Sequence, residues 1–235
     1  ACAARHDLVL QMRCRVGDFV LEGGPLVSAW HTAQAGPDSA SGSDSGSDAG
    51  GAPLADSGSL NGASFRDLAD TVATAYVIAR FQTEEQDVGY GLRQIVDVAL
   101  RALSPALNDE ATAMQAIDYI GAVLARLAAR PMPSLLRCRD GRLRVVAQAP
   151  SFEQLLGLGL RQVVRVGASS PEVLLRVLGT LQAVLASTTD ERADAVRQFA
   201  GLVATAATAI VDDERADAVR RLAHSVQGIS QARAR

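Results

Sequence analysis

The sequence predicts an α+β fold, mostly α, in which a small N-terminal β element (a partial barrel) precedes a helical domain with one inserted β-hairpin. Three observations carry this. Residues 8–12 alternate with the period of two expected of a strand. Long stretches after residue 65 repeat their apolar residues at i, i+3 and i+4. The chain is 48% hydrophobic but only 4% aromatic, so its core is built from Leu, Val, Ala and Ile, which suits packed helices.

The β element is expected over residues 1–34. Leu8, Leu10 and Met12 alternate with Val9 and Gln11, and Gly17-Asp18, Phe19-Val20, Gly23-Gly24-Pro25 and Leu26-Val27 follow as short apolar pieces broken by glycine turns. The piece is short for a closed barrel, and the chain begins at Ala1 rather than Met, so the first strands are expected upstream. Residues 35–64 collapse to Ser, Gly, Asp and Ala, too little apolar surface to offset ordering entropy, and read as a flexible loop.

The helical domain is expected over residues 65–235. A first helix runs from Phe65 to about Thr83 with Leu68, Val72, Ala75 and Ala79 on one face. The next, from Gly91 to Leu103, repeats Leu92, Ile95, Val96, Ala99, Leu100 and Leu103, and Pro105 ends it. Asn108 is expected to N-cap the following helix, which carries Ala113, Met114, Ile117, Ile120, Leu124 and Leu127, with Gly121 permitting close approach. Leu135–Arg139 and Arg142–Val146 flank Asp140-Gly141, a strong two-residue hairpin signal. Ser151 with Gln154 reads as a capping box, and Ser170-Pro171 as an N-cap followed by proline at the first helical position. The helix from Pro171 to Ala186 is apolar on three sides and is expected at the centre. Asp190–Arg197 recurs as Asp213–Arg220, with Val196, Phe199 and Val203 matched by Val219, Leu222 and Val226; two copies predict a helical hairpin rather than a solenoid.

Composition excludes several functions. All 23 basic residues are arginine, so Schiff-base chemistry and biotin or lipoate attachment have no lysine to use. Four aspartates lie in the polar stretch (Asp38, Asp44, Asp48, Asp56); without them the net charge of −3 becomes +1, and no basic footprint for nucleic acid is evident. Three cysteines without paired spacing (Cys2, Cys14, Cys138) point to a reducing compartment. Cys2, His6 and Cys14 match no zinc spacing, so neither metal nor cofactor is expected. No apolar run is long enough to span a bilayer; the best, Phe199–Val211, is too short. The histidines His6, His31 and His224 are scattered, no phosphate loop or dinucleotide fingerprint appears, and no catalytic residue is assigned. Arg137, Arg139, Arg142 and Arg144 make the hairpin basic, which reads as a solvated face, with anionic lipid headgroups as the alternative.

The stretch from Gln86-Asp87 through Gly91-Leu-Arg-Gln-Ile-Val-Asp-Val-Ala-Leu-Arg-Ala-Leu-Ser-Pro-Ala-Leu-Asn-Asp109 to Ala111-Thr112-Ala113 resembles the predicted membrane proteins catalogued as domain of unknown function 2254. Val16-Gly-Asp-Phe-Val20 with Gly24-Pro25-Leu26 is similar to that family's upstream motif. Glu110 departs from it, standing where proline is expected. The resemblance implies transmembrane helices before Ala1, attachment to the membrane through that upstream region, and a biochemical role that is not established. This part is expected on the cytoplasmic side. The β segment is also similar to the hammerhead-like barrels of biotinyl and lipoyl carriers, but no lysine is present for a hairpin tip.

One cluster is the candidate site. Arg93, Asp97 and Arg101 are four apart and stack along one helix flank. Gln86, Asp87, Ser104, Asn108, Asp109 and Thr112 lie near the same helix ends. The cluster is either a salt-bridged ladder or an anion site whose guanidinium groups are oriented by Asp97. Two functions follow: an assembly or regulatory domain of a membrane protein that self-associates through its helices, or a small-ligand or anion sensor coupled to the membrane.

Overall fold

The computed structural model describes residues 2–32, 62–81, 87–188 and 190–229. Of the loop expected at 35–64, residues 35–61 lie outside the described residues, as does the candidate residue Gln86, while residues 62–64 open a helix instead. The chain is mostly helical with one small sheet and divides into two compact units, 1–82 with 134–149, and 83–133 with 150–235. Among the described residues no helix is long and apolar enough to cross a membrane.

The first unit is built on four strands, β1 (Leu8–Met12), β2 (Val27–His31), β3 (Leu136–Arg139) and β4 (Arg142–Val146), ordered β2-β1-β4-β3. β1–β2 and β3–β4 are antiparallel, whereas β1 and β4 run parallel with Leu10 opposite Val145. The expected partial barrel is thus an open mixed sheet, and the segment between β1 and β2 forms turns rather than strands. Asp140 and Gly141 take φ of 54° and 72°, the left-handed pair that the short hairpin requires and that Asp and Gly tolerate.

The hairpin is inserted between α4 (Glu110–Ala128) and α5 (Phe152–Val166) in the chain, as expected, but it packs with the N-terminal strands. It completes the sheet, because β4 supplies β1 with its second neighbour and satisfies backbone groups that would otherwise be an open edge. The helix α2 (Gly62–Ala75) likewise belongs to this unit and ends well before Thr83. Its Leu68 and Val72 pack with Leu8, Leu10 and Cys2, and Tyr76 donates its hydroxyl to the Leu26 carbonyl at 3.2 Å. A short helix absent from the sequence reading, α1 (Cys2–Arg5), precedes β1.

Arginine on the hairpin is not one solvated face. Arg144 is only 11% exposed, donating to Asp7 Oδ1 at 2.8 Å and to Thr32 Oγ1 at 3.2 Å, while Arg142 reaches Asp7 at 3.5 Å. Arg139 lies near Asp140, and Arg137 bonds the Ser134 carbonyl. Three of the four are therefore met by carboxylates of the same unit.

The second unit contains α3 (Val88–Ala102), α4 (Glu110–Ala128), α5 (Phe152–Val166), α6 (Pro171–Ala186), α7 (Asp190–Ala206) and α8 (Asp213–Gly228). α6 packs against α4, α5, α7 and α8, and its Val173, Leu174, Val177, Leu178, Leu181 and Val184 are fully buried. Burying a Leu or Val side chain stabilises by about 1.5–3 kcal/mol, which is why the helix apolar on three sides takes the centre. Gly121 of α4 lets α6 approach closely: a Cβ there would lie 2.6 Å from Thr180 Cγ2.

Helix ends follow their sequence signals. Ser151 and Gln154 form a reciprocal capping box on α5, and Ser170 caps α6 with Pro171 at its first position. The repeat forms the hairpin α7–α8, with Val196, Phe199, Val203, Val219 and Val226 buried and Leu222 packed against the same core. The two copies serve different neighbours. Arg192 of the first donates to the carbonyls of Leu127, Ala128 and Arg130, closing the C-terminus of α4. Its counterpart Arg215 pairs with Glu172 Oε1 at 3.0 Å in the first turn of α6.

Candidate functional site

The candidate residues begin where α3 begins. Asp87 holds the N-cap position, yet its side chain makes no cap bond; its Oδ2 accepts from Arg93 Nη2 at 3.0 Å. Asp87 is 12% exposed and Arg93 44%, so the pair is partly shielded from water. The Asp97 ladder does not form. Asp97 and Arg101 are exposed, and among the described residues neither takes an ion-pair partner. An exposed pair at this spacing gains only about 0.3–0.5 kcal/mol, little against the entropy of ordering two long side chains. Arg93 is instead held by a carboxylate with less access to water.

The other candidates gather beyond the far end of α3. Ser104 accepts from the amides of Leu107 and Asn108 at 3.1 and 2.8 Å, which folds the connection back on itself, and the Asp109 amide donates to Ala102. Asn108 is not the N-cap. It takes φ of 47°, a left-handed turn that asparagine tolerates, and passes the cap to Asp109. Asp109 Oδ1 accepts from the Thr112 amide at 3.0 Å and Oδ2 from the Thr112 hydroxyl at 2.6 Å. The hydrogen bond from that hydroxyl, then the one from the amide, hold the Asp109 carboxyl below the usual range. A carboxylate here also meets the positive end of the α4 dipole.

Four of the nine candidates therefore form two pairs, Asp87–Arg93 and Asp109–Thr112, toward opposite ends of α3. A 15-residue helix is about 22 Å long, which separates them. Glu110, the departure from the family pattern, has a role of its own: its Oε1 accepts from the Ser170 hydroxyl at 2.8 Å, tying the start of α4 to the cap of α6.

Two other places have the geometry of a site. The first is an open groove of about 660 Å³ on the second unit, between α4 and α6. It is lined by the small residues Gly121, Ala122, Ala125, Gly179 and Ala183, and by Asp118 and Arg176, paired at 3.0 Å and each about half exposed. None of the eight candidates among the described residues lines it. Of the residues lining it, the sequence alone marks only Gly121, as permitting close helix approach, and Met114, as an apolar position of the same helix.

The second lies in the first unit, where Cys2, His6 and Asp67 converge. Asp67 Oδ2 lies 2.9 Å from His6 Nε2 and 3.7 Å from Cys2 Sγ, and Arg5 approaches the same oxygen at 3.4 Å. The hydrogen bond with His6 is the largest influence holding the Asp67 carboxyl below its usual range; burial opposes it, and the Arg5 charge and Cys2 thiol add to it. Cys14, grouped with Cys2 and His6 in the sequence, is not here: its thiol is directed to the Pro25 carbonyl at 3.5 Å. Asp67 had no local signal, being 61 residues from His6.

The family model for predicted membrane proteins catalogued as domain of unknown function 2254 matches residues 1–183, and the chain belongs to that family. Proteins of Mycobacterium tuberculosis and Mycobacterium bovis, each described as an uncharacterized protein, are similar to it: 36% identical over 209 residues, covering 88% of this chain. The chain spans about a third of the length of these relatives (35%). No solved structure matches it.

Proposed function

We propose that this chain is an extramembrane assembly domain of a membrane protein, and that two copies meet along the α4–α6 groove. The observation that carries the reading is the composition of that groove. The exposed Ala122, Gly179 and Ala183 leave the helix backbones open to close approach, while Asp118 and Arg176, paired at 3.0 Å, place opposite charges beside them. A two-fold interface brings a patch against itself, so a patch carrying both signs is its own complement. Under that symmetry Asp118 of one copy can reach Arg176 of the other. The occupant is thus a second copy of this chain, and regulation through the membrane region would act on that association.

The anion-sensing alternative has less support, since Arg93 is held by Asp87 at the start of α3, away from Arg101 and the turn at 104–112 at its other end, where the Asp109 carboxylate is also present. The test is sedimentation equilibrium of the chain at tens of micromolar. A dimer is expected, with Ala122→Arg shifting it to monomer while far-UV circular dichroism stays unchanged and melting falls only to that of the wild type diluted to monomer; Ala122 is exposed, so the substitution spares the core. A wild-type chain that sediments as a monomer refutes the proposal.

A further inference from the structure

We propose that Cys2, His6 and Asp67 hold a zinc ion, with its fourth coordination position open to solvent. One turn of α1 and its continuation set the first two ligands: the His6 amide donates to the Cys2 carbonyl at 3.2 Å, so residues four apart share a face. Asp67 is presented to them from α2, and Leu68 beside it is anchored with Cys2 and Leu8 in the small core of this unit. Sulfur, imidazole nitrogen and carboxylate oxygen are all zinc ligands, bound at about 2.3, 2.0–2.1 and 2.0–2.2 Å. Two such ligands on a tetrahedral ion sit roughly 3.3–3.6 Å apart. The three ligand atoms here all lie within 4.8 Å of one another, with individual separations of 2.9 and 3.7 Å to the carboxylate oxygen. A single ion can touch all three after side-chain shifts of up to about an ångström, most of it in bringing the thiol and the imidazole together.

The donor set selects the metal class. A thiolate with an imidazole favours zinc or another borderline-soft ion over magnesium or calcium, which prefer oxygen alone. Access is one-sided. Cys2 is 3% exposed, whereas the side chains of His6 and Asp67 are 21% and 37% exposed, so the ion enters past the histidine and the carboxylate. Three protein ligands with an open fourth position is the arrangement that leaves zinc a water or an incoming ligand. Binding releases the Cys2 thiol proton to solvent, moves the His6 Nε2 proton to Nδ1 so that Nε2 can ligate, and replaces the hydrogen bonds that His6 and Cys2 now make with Asp67. Arg5 opposes the ion, being 3.4 Å from Asp67 Oδ2, but its side chain is 63% exposed and free to withdraw into water.

The experiment is cobalt(II) titration of the full chain under reducing conditions, with zinc displacement. The N-terminus is acetylated so that the Ala1 amine offers no ligand. A thiolate-to-cobalt charge-transfer band saturating at one equivalent is expected, and zinc should abolish it. Cys2→Ser should remove the band, and His6→Ala or Asp67→Asn should weaken zinc binding by at least about tenfold. Arg5→Ala should tighten it several-fold, an effect that a merely structural cluster would not produce. Asp67→Asn keeps the residue's shape, and circular dichroism verifies that each variant is folded. No band with cobalt overturns the proposal; so does a band that survives Cys2→Ser, or affinity unchanged in Asp67→Asn.

Discussion

Gly121→Ala and Gly179→Ala are the same substitution inside two helices of one unit, and the structure gives them opposite signs. Replacing glycine by alanine in a helix interior stabilises by about 0.5–1 kcal/mol, because glycine loses more backbone entropy on folding. At Gly179 a Cβ meets nothing within 4 Å in the chain itself, so the whole gain should appear in the monomeric chain. At Gly121 the new Cβ lies 2.6 Å from Thr180 Cγ2 and 3.4 Å from its Oγ1, in a place where Thr180 is only 7% exposed. Overpacking of this kind costs about 1–3 kcal/mol, which exceeds the propensity gain. The expected outcome is a loss of up to about 2 kcal/mol for Gly121→Ala, or several degrees in melting temperature for a unit of this size. Urea unfolding followed by far-UV circular dichroism measures both, since α3–α8 supply most of the helical signal. Thr180→Ser removes the clashing methyl, so the double variant should recover most of the loss. If Gly121→Ala proves as stable as Gly179→Ala, the close approach of α4 and α6 is not what requires glycine at 121.

Two further predictions concern the sheet unit, whose Trp30 in β2 is the chain's one tryptophan and reports its unfolding by fluorescence. Gly141→Val should destabilise it by about 1–3 kcal/mol, because a β-branched residue must hold φ near 72°; an unchanged midpoint would mean the turn relaxes to another type. Asp7 should give the unit an acid-sensitive component. The hydrogen bond from Arg144 is the main cause that holds its carboxyl below the usual range, with burial opposing it and the charges of Arg144 and Arg142 and the Thr32 hydroxyl adding to it. The folded state thus keeps Asp7 charged where the unfolded chain already binds a proton, so this stabilisation is complete above the ordinary aspartate range and is lost as pH falls through it to the lowered folded value. Asp7→Asn should lower stability at neutral pH and flatten the acid limb of the Trp30 melting curve; parallel pH profiles for variant and wild type would count against the Asp7–Arg144 pair.

What the sequence determined by itself is local. The capping box at Ser151 and Gln154, the Ser170-Pro171 helix start, the Asp140-Gly141 turn and the two arms of the repeat were all legible, because each rests on residues within a few positions of one another. The same holds for α6 at the centre, since a helix apolar on three sides has few other places to go. The family resemblance was legible too, in a contiguous stretch across α3 and the start of α4. Tertiary structure decided whatever depends on a distant partner. The hairpin joined β1 because a strand's free backbone groups are satisfied by any compatible edge, and the pairing of Leu10 with Val145 leaves no trace in either segment. Arg93 chose Asp87 over Asp97 because partial burial strengthens an ion pair more than helical spacing does. Asp67 met Cys2 and His6 only through the docking of α2 on β1. Periodicity records which face of an element is buried; it does not record what that face is buried against.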